Sequence, residues 1–172
     1  MTVKDISYSA LFAAFIAICA MITIPTPIVP FSLQPLAITL TALKLSKHQA
    51  LLAVTVYIIA GLMGLPIFAN GSGGLHTIIR PTFGFIIGFL PMAYCINHFK
   101  DLKWKGFPFV SILTGIPILY IVAIPYLFFN LTMIQNIDIS FSVVISSYCL
   151  TFLPTDTISF CIAFWINRRI SL

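Results

Sequence analysis

Apolar segments long enough to cross a bilayer alternate with short breaks along this chain of 172 residues. The pattern predicts six helices, over about 6–24, 36–45, 49–65, 83–99, 107–129 and 141–165. Most are apolar on every side rather than along one stripe, as expected of helices that meet lipid outside and other helices inside. The second is short for a full crossing and reads as tilted or partly re-entrant. Ten-residue runs of alternating polarity, the mark of a membrane barrel, do not recur. The expected fold is therefore an all-α membrane protein with one bundle and one domain.

Two of the breaks are unusual. The first, IPTPIVPFSLQP, carries Pro25, Pro27, Pro30 and Pro35, which fix φ and withhold donors, so no helix runs through it. It stays apolar through Ile28, Val29 and Phe31, which predicts a stiff segment tucked into the bundle, with Gln34 as its strongest polar group. The second is LPIFANGSGGLHTIIRPTFG, which gathers Gly71, Gly73, Gly74, Asn70, Ser72, His76 and Arg80 between apolar runs. Irregular backbone survives near a bilayer only where protein or a cavity satisfies its N–H and C=O groups. This stretch is expected to form the wall of a ligand pocket. A glycine-rich stretch by itself is more often just a turn.

Composition narrows the class. Hydrophobic residues make up 60% of the chain and charged residues 8%, with a mean hydropathy of +1.09. A soluble domain carries about 25% charged residues, so a soluble surface cannot be built from this sequence. The net charge of +5 does not point to nucleic acid, because the basic residues stand singly or in small groups beside apolar segments. With six crossings, Lys4, Lys44, Lys47, Lys100, Lys103, Lys105, Arg168 and Arg169 all fall on one side. The positive-inside rule makes that side cytoplasmic and puts both termini there. Arg80 alone falls on the outer side, where topology does not require it. A Lys4-led apolar run also opens many secretory signals, but Pro25-Thr26-Pro27 stands where a small-residue cleavage site would be, so helix 1 is expected to be retained.

Most of the remaining chemistry reads as packing. Cys19, Cys95, Cys149 and Cys161 lie in apolar segments without a C-x-x-C pair. His48, His76 and His98 show no ligand spacing, so no metal is expected. No G-x-x-x-x-G-K-S/T phosphate loop occurs, so nucleotide hydrolysis is excluded. Small residues on helix 1, Ala10 with Ala14 and Ala13 with Ala17, are ordinary for a membrane helix, or a face where another membrane subunit docks.

Asp156 is the exception. There are four acids and no glutamate, and only Asp156 lies deep in an apolar helix, twelve residues before Arg168. That is about 18 Å from the inner end at 1.5 Å per residue. A carboxylate at such depth costs about 2.5–3.5 kcal/mol and is functional by default. A bare Asp156–Arg80 salt bridge would satisfy both groups without a ligand. The alternative is a site for a small amphiphilic molecule that uses one group at each end. A small membrane enzyme with Asp156 and His76 as an acid–base pair is a rival of another class, and a purely structural partner subunit is a third.

PTPIVPFSLQPLAITL, GLPIFANGSGGLHTIIRPTFGFIIGF and FLPTD, in this order, resemble the BioY family, the biotin-specific substrate-binding (S) component of energy-coupling factor transporters. The resemblance covers nearly the whole chain and implies an S-component-like bundle of six helices in a prokaryotic cytoplasmic membrane. It implies biotin as transported ligand, no cofactor, and energy from a transmembrane coupling subunit and two ATPase subunits. Asp156 would accept from the ureido N–H groups, Asn70 would complete that pairing, and Arg80 would meet the valerate carboxylate. Gln34 and Phe31 would help to close the pocket, Ser72 would also be a ligand-binding residue, and Ala10, Ala13, Ala14 and Ala17 would supply the face for the coupling subunit. An S component for another vitamin is the nearest rival. Two departures stand out. Ser159 occupies a position where the family commonly has Lys, which would leave Arg80 to carry the carboxylate alone. Phe83-Gly84 stands where Gly-Gly is frequent, which would make the pocket wall bulkier.

Overall fold

The computed structural model describes residues 2–24, 31–102 and 109–169. Among these residues six α-helices follow one another: α1 (Val3–Met21), α2 (Gln34–Lys44), α3 (Lys47–Leu62), α4 (Phe83–Phe99), α5 (Phe109–Phe129) and α6 (Phe141–Arg169). A two-stranded antiparallel ribbon, β1 (Thr23–Ile24) with β2 (Phe31–Ser32), brackets the proline-rich break. The expectation that Pro25 to Pro30 tuck into the bundle lies outside the described residues, as do Lys103 and Lys105. Among the described residues three segments are long and apolar enough to span a membrane, Val3–Met21, Leu113–Ile134 and Phe141–Arg169, and α3 and α4 are shorter apolar helices.

Local signals start these helices where they do. Thr2 and Asp5 form a capping box on α1, and Ser46 and Gln49 form another on α3. Pro35 sits in the first turn of α2, where its missing N–H costs nothing. Pro91, Pro117, Pro125 and Pro154 lie inside α4, α5 and α6, which neighbouring helices and hydroxyl side chains make tolerable in a membrane.

The short α2 is the axis of the bundle. Nine of its eleven residues are buried, and Ala37, Ile38 and Ala42 have no exposed surface. Its C-terminal carbonyls are capped by other helices: Asn97 Nδ2 donates to Ala42 and Leu45 at 2.6 and 2.9 Å, and Lys100 Nζ donates to Leu45 at 2.8 Å. Lys44 Nζ reaches the Asn167 carbonyl of α6 at 3.0 Å. At the same pole Gln49 Nε2 donates to Asp5 Oδ1 at 2.7 Å, and Ser9 Oγ donates to the Gln49 carbonyl at 3.1 Å. The starts of α1 and α3 and the ends of α2, α4 and α6 therefore share one basic end of the molecule.

Among the described residues α4 and α5 pack most extensively, with Gly84 and Gly88 in the seam. A Cβ on Gly84 would sit 2.7 Å from Tyr126 Cβ, and one on Gly88 would sit 2.9 Å from Leu119 Cδ1. At Gly84 the Ala123 carbonyl oxygen is also only 2.9 Å away, so glycine is required there, whereas at Gly88 the Leu119 side chain could shift to make room. Outward faces remain apolar, with Leu11, Ile18, Ile121 and Ile158 all exposed, as suits a lipid surround.

Candidate ligand-binding site

The end opposite the basic pole holds a cavity of about 230 Å³. It is built where the ribbon, the start of α2, the Leu65–Gly84 stretch, α4 and α6 meet. Asn70, Ser72, Arg80, Asp156, Gln34 and Phe31 all line it, so the two unusual breaks and the intramembrane acid converge on one space.

The glycine-rich stretch is folded against α3. Gly74 N–H donates to the Gly61 carbonyl at 2.7 Å, and Phe68 N–H donates to the Ser72 carbonyl at 2.9 Å. Between them Asn70 turns left-handed, with φ 59° and ψ 29°, a conformation that asparagine tolerates better than most residues. Thr23 Oγ1 of β1 donates to Asn70 Oδ1 at 2.8 Å. With its carbonyl oxygen so engaged, Asn70 has its two amide N–H donors to offer. Ser72 Oγ donates to the Ala69 carbonyl at 2.9 Å and closes the same turn.

Gln34 is 5% exposed, and its amide is bonded at both ends. Ser32 Oγ donates to its Oε1 at 2.7 Å, and its Nε2 donates to Tyr57 Oη at 2.6 Å. Tyr57 in turn reaches the Ile67 carbonyl at 3.3 Å. Gln34 therefore braces the ribbon, α3 and the glycine-rich stretch at the cavity wall.

Asp156 is 7% exposed, and its Oδ2 accepts from Tyr120 Oη of α5 at 2.6 Å. One phenol leaves a carboxylate most of its acceptor capacity. Arg80 is exposed, and among the described residues no ion pair joins it to Asp156 or to any other acid. The salt bridge that would have satisfied both groups without a ligand is thus not formed. An acceptor and a cation line the same cavity separately.

Aromatic rings line the same cavity. Phe152, one helical turn before Asp156, centres a cluster with Phe31 at 4.6 Å, Phe85 at 6.1 Å and a stacked Tyr148 at 6.1 Å. The Phe68 ring stands edge-on to Tyr57 at 5.4 Å. Such a wall suits an apolar ring system with a polar edge.

Several expectations change. His76 is exposed and does not line the cavity, so it is not placed to pair with Asp156 there. Phe83 packs edge-on against Tyr126 at 5.9 Å and Gly84 packs on α5, so neither makes the pocket wall bulkier. Ser159 is buried at 8% exposure but is not part of the lining. Of the small-residue pairs on α1, Ala10 and Ala14 face outward, whereas Ala13 is buried in the protein's own core and Ala17 packs against it. Ala13 is therefore committed to this bundle, and Ala17 is partly covered by it. Tyr120, Thr23, Phe85 and Phe152 take part without having been assigned a role from sequence. The four-residue spacing of Phe152 and Asp156 was a readable signal. Nothing local marks Tyr120 or Thr23.

The BioY family profile matches residues 1–172. A relative from Lysinibacillus sphaericus, named "Probable biotin transporter BioY", is 37% identical over 158 residues, covering 90% of this chain and 78% of the relative. The "Biotin transporter BioY" of Thermotoga maritima is 38% identical over 100 residues, 58% of this chain and 59% of its own. A crystal structure of "the S-component for biotin from an ECF-type ABC transporter" superposes with a TM-score of 0.82 at 27% identity, over 98% of this chain and 93% of the other.

Proposed function

The chain belongs to the BioY family, and from that premise we propose that it is a biotin-binding uptake subunit which takes the vitamin into the cavity beside Asp156. The observation that carries this reading is the unpaired placement of Asp156 and Arg80 on one aromatic-lined space. Biotin has complementary ends: a ureido ring with two N–H donors and one carbonyl, and a valerate carboxylate. Asp156 accepts from a ureido N–H. Asn70, whose own carbonyl oxygen is held by Thr23, donates to the ureido carbonyl. Arg80 meets the carboxylate, and Phe152, Phe85 and Phe31 pack the fused ring and the chain.

The basic pole faces the cytoplasm of a prokaryotic cell, both termini lie there, and the cavity opens outward. Energy for release inward comes from separate subunits, a transmembrane coupling protein and two ATPases. The outward Ala10–Ala14 face of α1 lets a partner helix approach closely.

Binding of labelled biotin to sealed right-side-out membrane vesicles tests both site and orientation. Saturable binding is expected without detergent. Asn70→Ala should weaken it about tenfold, the loss of one well-placed hydrogen bond in a dry site. Binding confined to inside-out vesicles would reverse the orientation, and an Asn70→Ala variant as tight as wild type would remove Asn70 from the site.

A further inference from the structure

The segment that carries Arg80 is gripped from the far end of α5. That helix does not stop at Phe129 but widens into a π turn over Asn130–Ile134, closed by Gln135 N–H to the Asn130 carbonyl at 3.0 Å. Single π turns re-aim side chains and recur at functional sites. Here the turn sets Asn130, with no exposed surface, against the short helical turn Leu75–Ile79. Asn130 Nδ2 donates to the Ile79 carbonyl at 2.8 Å. Gln135 Nε2 donates to Asn130 Oδ1 at 3.1 Å, which fixes the way the amide faces. Tyr126, one turn earlier on α5, donates to the Ile78 carbonyl.

The Ile79 carbonyl and the Arg80 N–H are the two polar ends of one planar peptide. The N–H donates to the Thr77 carbonyl at 3.0 Å. With Asn130 on the carbonyl, both ends are bonded, and the plane cannot rotate without breaking one of them. That plane sets the direction in which the Arg80 side chain leaves the backbone. Among the described residues the guanidinium itself makes no hydrogen bond or ion pair, so its aim into the cavity depends on the backbone that bears it.

We infer that Asn130 is a positioning residue for the anionic end of the ligand, fixing the Ile79–Arg80 peptide so that the guanidinium is presented to the cavity. This rests on the reading of Arg80 as carboxylate partner. A residue that merely held the fold together would affect every ligand alike, whereas one that aims Arg80 affects ligands with a carboxylate.

The test is equilibrium binding of biotin and of biotin amide, its uncharged analogue, to purified wild type, Arg80→Ala, Asn130→Ala and Gln135→Ala. Wild type is expected to prefer biotin, and Arg80→Ala to bind the two alike. Asn130→Ala should cut the preference about fivefold, with affinity for the amide within about twofold of wild type. Gln135→Ala removes only the bond that orients the Asn130 amide, at an exposed position, and should move the preference the same way by a smaller factor. It carries the test if Asn130→Ala does not fold. Equal losses for both ligands, or an unchanged preference, overturn the inference. A wild type that shows no preference removes Arg80 as carboxylate partner, and the inference falls with that reading while the roles of Asp156 and Asn70 stand.

Discussion

Asp156→Asn is expected to weaken biotin binding about a hundredfold. The substitution keeps the size of the side chain and replaces a two-oxygen acceptor by an amide with one acceptor and two donors. A hydrogen bond to a charged acceptor contributes about 1.5–3 kcal/mol, or roughly 10- to 150-fold in affinity. The amide also presents its own N–H groups either to the ureido N–H or to Tyr120 Oη, which now donates to Oδ2 at 2.6 Å. Thermal stability in detergent should hold or rise. A buried acid with no cation beside it among the described residues is a cost that folding tolerates for function. Labelled-biotin binding and a melting curve on the same preparation check both halves. A variant within about threefold of wild type would take Asp156 out of ligand recognition.

Gly61→Val is expected to abolish measurable binding through a residue that touches no ligand. Gly61 is buried on α3, and a Cβ there would overlap the ring of Phe68. Phe68 has no exposed surface, stands edge-on to Tyr57, and lines the cavity. Because Phe68 lines the cavity, a ring pushed aside to relieve the overlap is expected to move into the space meant for biotin. Overpacking of this kind costs about 1–3 kcal/mol of stability, which a folded bundle survives with a lowered melting temperature. Pairing it with Phe68→Leu, which shortens the displaced side chain, should restore part of the binding. A Gly61→Val protein that melts lower yet binds biotin as well as wild type would show that Phe68 yields in some other direction.

These two cases differ in how much of them the sequence disclosed. Asp156, Arg80 and Asn70 were legible because a lipid-bound chain has few polar side chains, and each one inside an apolar stretch demands a reason. The helices were legible on similar grounds, as apolar runs between prolines, glycines and basic clusters. The three family-like blocks then turned polar exceptions into roles. What stayed hidden is what depends on distant residues meeting. Tyr120 finds Asp156 across 36 positions, Thr23 finds Asn70 across 47, and Asn130 finds Ile79 across 51. Nothing in the spacing of Tyr120, Thr23 or Asn130 marks these pairings.

Inside and outside were also hard to tell apart. In a soluble protein the polar face of a helix shows which way it turns, but here lipid and core ask for the same side chains. Hence α2, short and unremarkable as a string, emerges as the buried axis of the bundle. The alanines of α1 likewise divide into an outward pair, Ala10 and Ala14, and an inward-packed pair, Ala13 and Ala17. Composition cannot make that division. Gln34 shows the converse. A glutamine in an apolar break reads as a ligand group, yet both ends of its amide are bonded to protein, so its contribution is to hold the wall.

A structure of the chain with biotin bound is the most direct test. The ureido ring should lie against Asp156 and Asn70, with the Tyr120–Asp156 bond retained, and the valerate carboxylate should reach Arg80. Biotin in the opposite sense, or seated away from this cavity, or Asp156 paired with Arg80 beneath it, would contradict the account.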